Sequence, residues 1–287
     1  MAITVAKQYI SALDEVYKLA VRTSVLDSDS SLVREGANAG EICVPKITMD
    51  GLADYSRTSG YVNGTVNLTW ETIAADYERG RKFSVDVLDD EETRNVAFGR
   101  LAGEFLRVKV GPELDAVRIA KYAGTSNIGS ATGTLSTGAD AIAALRACAN
   151  AMNDAEVNPE GRFLFITPAA WGLVEDLATT ASREVMANFG QVIQMPQNRM
   201  YTAVDLYDGT TSGEEAGGYV KASGAKDINF LCVTRNAVSQ FAKHVAPKII
   251  APENNADADA YIYTYRITAV ARVFDNKLAG VYCHHKA

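Results

Sequence analysis

The chain has 287 residues, 47% of them hydrophobic and 22% charged, with a formal net charge of -7. That length holds one large domain or two ordinary ones, and an acidic balance without clustered Lys and Arg argues against a sequence-independent nucleic-acid binder. Four scattered cysteines, Cys43, Cys148, Cys232 and Cys283, predict reduced thiols instead of a disulfide framework. No apolar run approaches the ~20 residues that span a bilayer, and MAITVAKQYISALDE lacks the basic leader and apolar run of a secretion signal.

In chain order, Ile10, Leu13, Val16, Tyr17 and Leu19 or Ala20 recur at helical spacing and predict a short amphipathic helix. The polar VRTSVLDSDSSLVREGANAG after it reads as an extended arm with little core of its own. EICVPKIT reads as a strand that Pro45 demotes to an edge or irregular one. After the turn-rich MDGLADYSRTSGYVNG, GTVNLTWETI alternates: Val66, Leu68 and Trp70 share one face, Asn67, Thr69 and Glu71 the other. Beyond the charged ADYERGRK, Phe83, Val85 and Val87 alternate with Ser84 and Asp86. The region 36–88 is therefore predicted as one long β-hairpin with a half-apolar face and little covering helix. An isolated hairpin is marginal in water, so this one needs a covering neighbour. Tyr61 and Trp70 are core residues by default, but on an uncovered ribbon they become contact anchors. Arg79, Arg81 and Lys82, in a run with Asp76 and Glu78, read equally as a solvated strand edge or as intersubunit ion pairs.

Residues 89–93 offer N-cap candidates and place negative charge where it suits a helix dipole. Glu91 and Glu92 are candidate partners for the basic run of an adjacent subunit. Phe98, Leu101, Phe105 and Val108 form one apolar row, and Ala102, Leu106, Val110, Leu114 and Val117 a second. A helix over 93–123 follows, roughly 45 Å long at ~1.5 Å per residue. Pro112 has no N–H for the carbonyl of Val108, so a kink or restart is expected at Gly111 and Pro112.

Residues 124–140 are a loop by composition. An Ala-rich helix over 140–152, a buried strand GRFLFIT, a helix capped by Thr167 with Pro168 at its first position, and a second buried strand DINFLCVT make 137–240 an α/β unit. The tail turns to β at 244–250, 261–273 and 277–285, with Phe274-Asp275-Asn276-Lys277 as the tight turn between the last two strands.

No motif carries chemistry. The Gly-rich stretch 124–140 lacks both phosphate-cradle patterns and follows a helix where they require a strand. No G-x-S-x-G elbow exists. Among the three histidines, His244, His284 and His285, only His285 shares a strand face with Cys283, too few ligands for a metal. Glu253, Asp257 and Asp259 lack the EF-hand pattern and read as a turn. No catalytic, cofactor or metal site is predicted.

The order is arm, long charged hairpin (RGRKFSVDVLDDEET), long helix, α/β unit and returning strands (KHVAPKIIAPENNADADAYIYTYRITAVARVFDNKLAGVY). It resembles the major capsid protein of tailed bacteriophages, the Hong Kong 97-type fold. The resemblance implies an α+β fold with an N-terminal arm over 1–35 and an extended loop over 36–88. It implies a peripheral domain with a spine helix over 89–136 and 241–287, and an α/β axial domain over 137–240. It further implies a structural subunit, not an enzyme, that self-assembles into hexamers and pentamers of an icosahedral shell around double-stranded DNA, without sequence-specific binding. A separate scaffolding protein and a portal would be its partners, the host bacterial cytoplasm its place of assembly and the virion its location; no membrane partner is implied. An encapsulin-type nanocompartment shell is the alternative, and a small α/β enzyme a more distant one.

Overall fold

The computed structural model describes residues 21–28, 34–35, 41–92, 96–177 and 179–287. The amphipathic helix expected before Val21, much of the polar arm and the cap candidate Thr93 lie outside the described residues.

After a 3-10 turn at Arg22–Leu26 comes the short β1 (Arg34–Glu35), then β2 (Glu41–Met49) and β3 (Val66–Ala74). They form a three-stranded sheet in the order β1-β2-β3, with β2 and β3 antiparallel along nine residue pairs. Among the described residues β1 pairs with Ile42 and Cys43 and does not reach Pro45, which suits a proline without an N–H to donate.

The next strand, β4 (Tyr77–Asp86), departs from the expected hairpin. It pairs antiparallel with β13 (Ala260–Val273) from Tyr77↔Ala269 to Asp86↔Ala260. The ribbon thus ends at Ala74, and Phe83 and Val85 belong to a sheet built with the C-terminal half of the chain. The alternation of 83–87 fits any antiparallel partner, and the long-range one packs a half-buried Phe83 against Phe105 and Tyr263. On the other edge of β13 lie β11 (Val238–Val245) and then β12 (Lys248–Ile250).

Helix α1 (Val87–Glu92) follows β4 directly. The Asp86 carboxylate accepts the N–H of Leu88 at 2.9 Å, so Asp86 does the capping and the acidic residues 89–92 lie inside the helix. Helical residues then run without interruption from 96 to 123: α2 (Val96–Phe105), a π-helical segment Leu106–Val110, and α3 (Gly111–Ala123). The α-helix restarts at Gly111, with Pro112 in its first turn. The N–H of Gly111 bonds to the carbonyl of Leu106, five residues back, and this widened turn accommodates the proline within a continuing helix. One row of this helix, Ala102, Leu106, Val110, Leu114 and Val117, packs on Tyr263, Tyr265, Ile267 and Ala269 of β13. The opposite face of β13 presents Val270 to Ile42 and Ile73 at the root of the ribbon.

The α/β unit holds α4 (Gly138–Asp154), α5 (Pro168–Asp176) and α6 (Thr180–Met186). Its five-stranded sheet has the order β5-β14-β10-β6-β7, with β5 (Gly129–Thr132), β6 (Arg162–Ile166), β7 (Gln191–Gln194), β10 (Ile228–Thr234) and β14 (Val281–His285). Every residue of the central β10 is buried, as expected of a strand covered on both faces. Leu231 and Val233 face the cluster shared with Ile119 and Tyr122 of α3, and Phe230 and Cys232 face α4 and α5. Two expectations change here. Strand β14 joins this sheet instead of pairing with β13, and part of the 124–140 loop forms β5, which pairs parallel to β14. A small antiparallel pair, β8 (Val204–Leu206) and β9 (Tyr219–Lys221), stands apart.

Strand β14 carries a titratable group into the core. His284 is buried and stacked on Phe230 at 5.0 Å. Its Nδ1 lies 3.0 Å from Asn229 Nδ2, which also donates to the carbonyl of Gly133 at 3.1 Å. That amide nitrogen has only hydrogens to offer, so Nδ1 accepts and the ring is neutral. Burial, with His285 as a second cause, holds the imidazole below its ordinary 6.5. The unfolded chain therefore takes up a proton that the folded chain resists, and stability present above about pH 6.5 is lost as pH falls below it. Thermal melts from about pH 7.5 to about pH 5.5 are expected to show a falling Tm for this chain and a flatter profile for His284→Gln. Parallel profiles would show that His284 is not the group responsible.

Candidate assembly surfaces

The ribbon has one uncovered apolar face. Cross-strand partners point to the same side of a sheet, and the partner pairs Met49↔Val66, Ile47↔Leu68 and Pro45↔Trp70 stack along one face. Ile47 and Leu68 are each 55% exposed, and Met49 and Val66 more so. Among the described residues the root is anchored: Ile42 and Ile73 are buried against Val270, Arg272 reaches Glu71 at 3.3 Å, and Lys243 Nζ donates to the carbonyl of Glu41 at 2.8 Å. The tip is folded on itself. Asp50 accepts from the N–H and hydroxyl of Thr65 at 2.8 and 2.7 Å, bonds that hold its carboxyl below the usual range. Tyr55 and Tyr61 pack at 4.8 Å, with Tyr61 87% exposed. Monomeric proteins rarely leave a contiguous face of this kind bare, and such faces mark interaction sites.

The other residues singled out from sequence lie elsewhere. Arg79 Nε pairs with Glu113 on α3 at 2.8 Å, and its Nη2 donates to the carbonyl of Gly218 at 3.3 Å. Tyr77 donates to the same Glu113 oxygen at 3.0 Å, and burial, then the Glu113 charge, pushes its phenol up. Arg81 Nη2 donates to the carbonyl of Glu215 at 2.9 Å. Arg81 Nη1 also lies against Gly209, whose φ of +79° is a backbone conformation that L side chains rarely adopt. Both arginines thus tie the 207–218 loop to β4 within one chain. Lys82 is exposed on β4 opposite Thr264, and Glu91 and Glu92 are exposed on α1. Gly111 and Pro112 sit where the π-helical segment returns to α-helix.

A buried polar cluster escaped the sequence reading. Asp115, fully buried on α3, accepts from Thr23 N (3.0 Å), Thr23 Oγ1 (2.7 Å), Arg22 N (3.1 Å) and Arg199 Nη1 (2.9 Å). One turn on, Arg118 donates to Thr23 Oγ1 at 3.1 Å and pairs with Asp27 at 3.5 Å. Gln240 of β11 donates to Thr23 O and Asp27 Oδ1 and accepts from Tyr122. Together these clamp residues 22–28, the base of the arm, onto α3 and β11. The signal was present in ELDAVRIAKYA, an acid and a base one turn apart inside a helix buried on nearly every side.

The same helix borders a cleft of about 1060 Å³ between β4, β13, α2–α3 and the β8–β9 pair. Phe83, Leu101, Phe105 and Val108 line it, with the exposed cations Arg100 and Lys109. Among the described residues no group of three or more His, Cys, Asp and Glu is placed to hold a metal, and none of the helices is long and apolar enough to cross a membrane.

No family model matches the sequence, and no curated protein matches it. Solved structures do. A chain of the Gordonia phage Cozz structure is similar over 92% of this chain and 85% of its own, with a TM-score of 0.59 and 12% identity. The capsid of cyanophage P-SCSP1u matches 88% of this chain with 85% of its own, at TM-score 0.57 and 13% identity. The chain has the Hong Kong 97-type capsid fold. Within that capsid fold, a virus-like particle from Pyrococcus furiosus is similar over 97% of this chain and 98% of its own, at TM-score 0.54 and 13% identity. At such identities the resemblance lies in the path of the backbone, and the ribbon, cluster and cleft are read from this chain's own residues.

Proposed function

We propose that this chain is the structural subunit of an icosahedral capsid, assembling with copies of itself into hexamers and pentamers. The observation that carries the reading is the bare apolar face of the β2–β3 ribbon, rooted at one end and projecting without a core. A second copy covers that face, and head-to-tail contacts of this type close into rings. The capsid fold of the solved relatives supports the same conclusion. Double-stranded DNA is the proposed content, held without sequence recognition, with a separate scaffolding protein and a portal as assembly partners. Assembly in the bacterial cytoplasm and residence in the virion follow from that role. Electron microscopy of the purified protein, alone and with its scaffolding protein, is expected to show closed shells or capsomers. A monomer under all assembly conditions would refute the proposal.

A shell that encloses protein cargo is a second reading, supported by the near-complete coverage of both chains in the Pyrococcus furiosus comparison. The absorbance ratio of purified native particles separates the two, since packaged DNA dominates it.

A further inference from the structure

Tyr263, Tyr265 and Ile267 of β13 point to the long helix, so Thr264 and Arg266 point the other way. Toward the C-terminal end of the strand, the root of the ribbon covers that outer face at Val270. Toward its start, two rows of side chains cross the sheet in register. Lys82, Thr264 and Lys248 form one row, on β4, β13 and β12, and Ser84, Ile262 and Ile250 form the next. Cross-strand partners share a side, and neighbouring strands lie ~4.8 Å apart, which sets the two lysines about 10 Å apart across Thr264. Both lysines are exposed, and Arg266 beside them is taken by Glu78. Among the described residues neither lysine enters an ion pair. Arg79 and Arg81, which share the basic run with Lys82, are engaged inside the subunit. The fold replaces them with Lys248, brought in from the far side of β13.

The counterpart lies on α1. Leu88, Glu91 and Glu92 stand at i, i+3 and i+4 and share one side of that helix. Leu88 is 69% exposed and both glutamates are exposed. Among the described residues these glutamates also enter no ion pair. Within one chain the two surfaces are held apart, because Lys82 lies four residues before Asp86 on an extended strand, roughly 13 Å at ~3.3 Å per residue, and α1 begins beyond it. They match in kind and in order: a basic row beside a partly apolar one, and two acids one turn from a leucine. Unpaired charges of opposite sign on separate surfaces fix the register of an association.

We propose that the Lys82–Thr264–Lys248 face receives helix α1 of a second copy, with Leu88 against the Ile250 row and Glu91 and Glu92 on the two lysines. Each copy carries both halves, so the contact is head-to-tail and repeats from subunit to subunit. The inference rests on the self-assembly reading and adds to it a polar joint separate from the apolar ribbon.

Charge reversal tests it. Lys82→Glu with Lys248→Glu, and Glu91→Lys with Glu92→Lys, each set like charges against like. The fraction sedimenting as shells or capsomers is expected to fall about tenfold or more in both. The four changes together restore opposite charges and are expected to return assembly to near the parent level. All four positions are exposed, so thermal melts should stay near that of the parent. A double variant that assembles like the parent, or a fourfold variant no better than the doubles, would overturn the proposal. Carbodiimide coupling of the unaltered protein gives a reading that no folding defect disturbs. In assemblies of mixed isotope-labelled and unlabelled chains, a mixed-isotope amide joining Lys82 or Lys248 to Glu91 or Glu92 is expected, and its absence would equally overturn the proposal. Shells that form alongside any of these negative results would leave the capsid reading standing, whereas a chain that stays monomeric under every assembly condition would remove both.

Discussion

Ile47→Asp combined with Leu68→Asp is expected to abolish shell assembly while leaving a folded monomer. The two side chains are cross-strand partners in the middle of the ribbon, each 55% exposed. In the isolated subunit, exposed substitutions of this kind change stability by only about 0.5 kcal/mol either way, so the melting curve should hardly move. Covered by a neighbour, the same two carboxylates would be stripped of water without partners, at a cost of several kcal/mol per contact. Every subunit repeats the contact, so the penalty recurs throughout a shell and no assembled product should survive. Sedimentation and microscopy read assembly, and thermal melts read folding. Normal shells from the double variant would show that this face is not an assembly surface.

Asp115→Ala should act in the opposite way, on the subunit itself. Its carboxylate takes four hydrogen bonds, two from backbone N–H groups at the base of the arm and two from side chains. Removing it takes the Asp115 carboxylate away from Arg199 and leaves the buried Thr23 N–H and hydroxyl without that acceptor. Breaking a buried pair from one side costs about 3–5 kcal/mol. At about 2–4 °C per kcal/mol for a chain somewhat shorter than this one, the Tm should fall by about 6–20 °C. Limited proteolysis should also begin to cut on the N-terminal side of Asp27, because residues 22–28 lose their principal tether. An unchanged melt with an intact arm would mean that the Gln240–Asp27–Arg118 contacts hold the arm by themselves.

The extent to which these features were legible differs by the range of the interaction involved. The ribbon's apolar face followed from the two-residue period of Val66, Leu68 and Trp70, a local property that no partner changes. The destination of β4 was not local. Its alternation fits β3 or β13 equally well, and the available clue was Gly80, where a Cβ would stand 2.9 Å from the Tyr265 carbonyl, a sign of close backbone approach from a distant segment. The last strand was misplaced for the same reason: Val281–His285 reads as a strand, but nothing in it specifies β10 and β5 as neighbours over β13. At Pro112 the missing N–H signalled a restart, and the chain makes it through a π turn that keeps the segment helical throughout. The Asp115 cluster needed four segments brought together across the fold, although its acid and base were in view one turn apart. The cleft is a product of tertiary packing alone.

The contrast between the two attachments on β13 has a mechanical consequence. On one edge, ten consecutive residue pairs weld β4 to β13, with the long helix packed across the result. Among the described residues, by contrast, the ribbon's root is held by a small apolar cluster and by the contacts of Arg272 and Lys243. The base is a stiff beam and the ribbon a cantilever on a compliant joint. A shell that uses one sequence in both fivefold and sixfold surroundings must absorb a difference in angle somewhere. In the proposed shell the give would fall at Ile42, Ile73 and Val270, letting the ribbon reorient toward each neighbour while the frame that carries it keeps its shape.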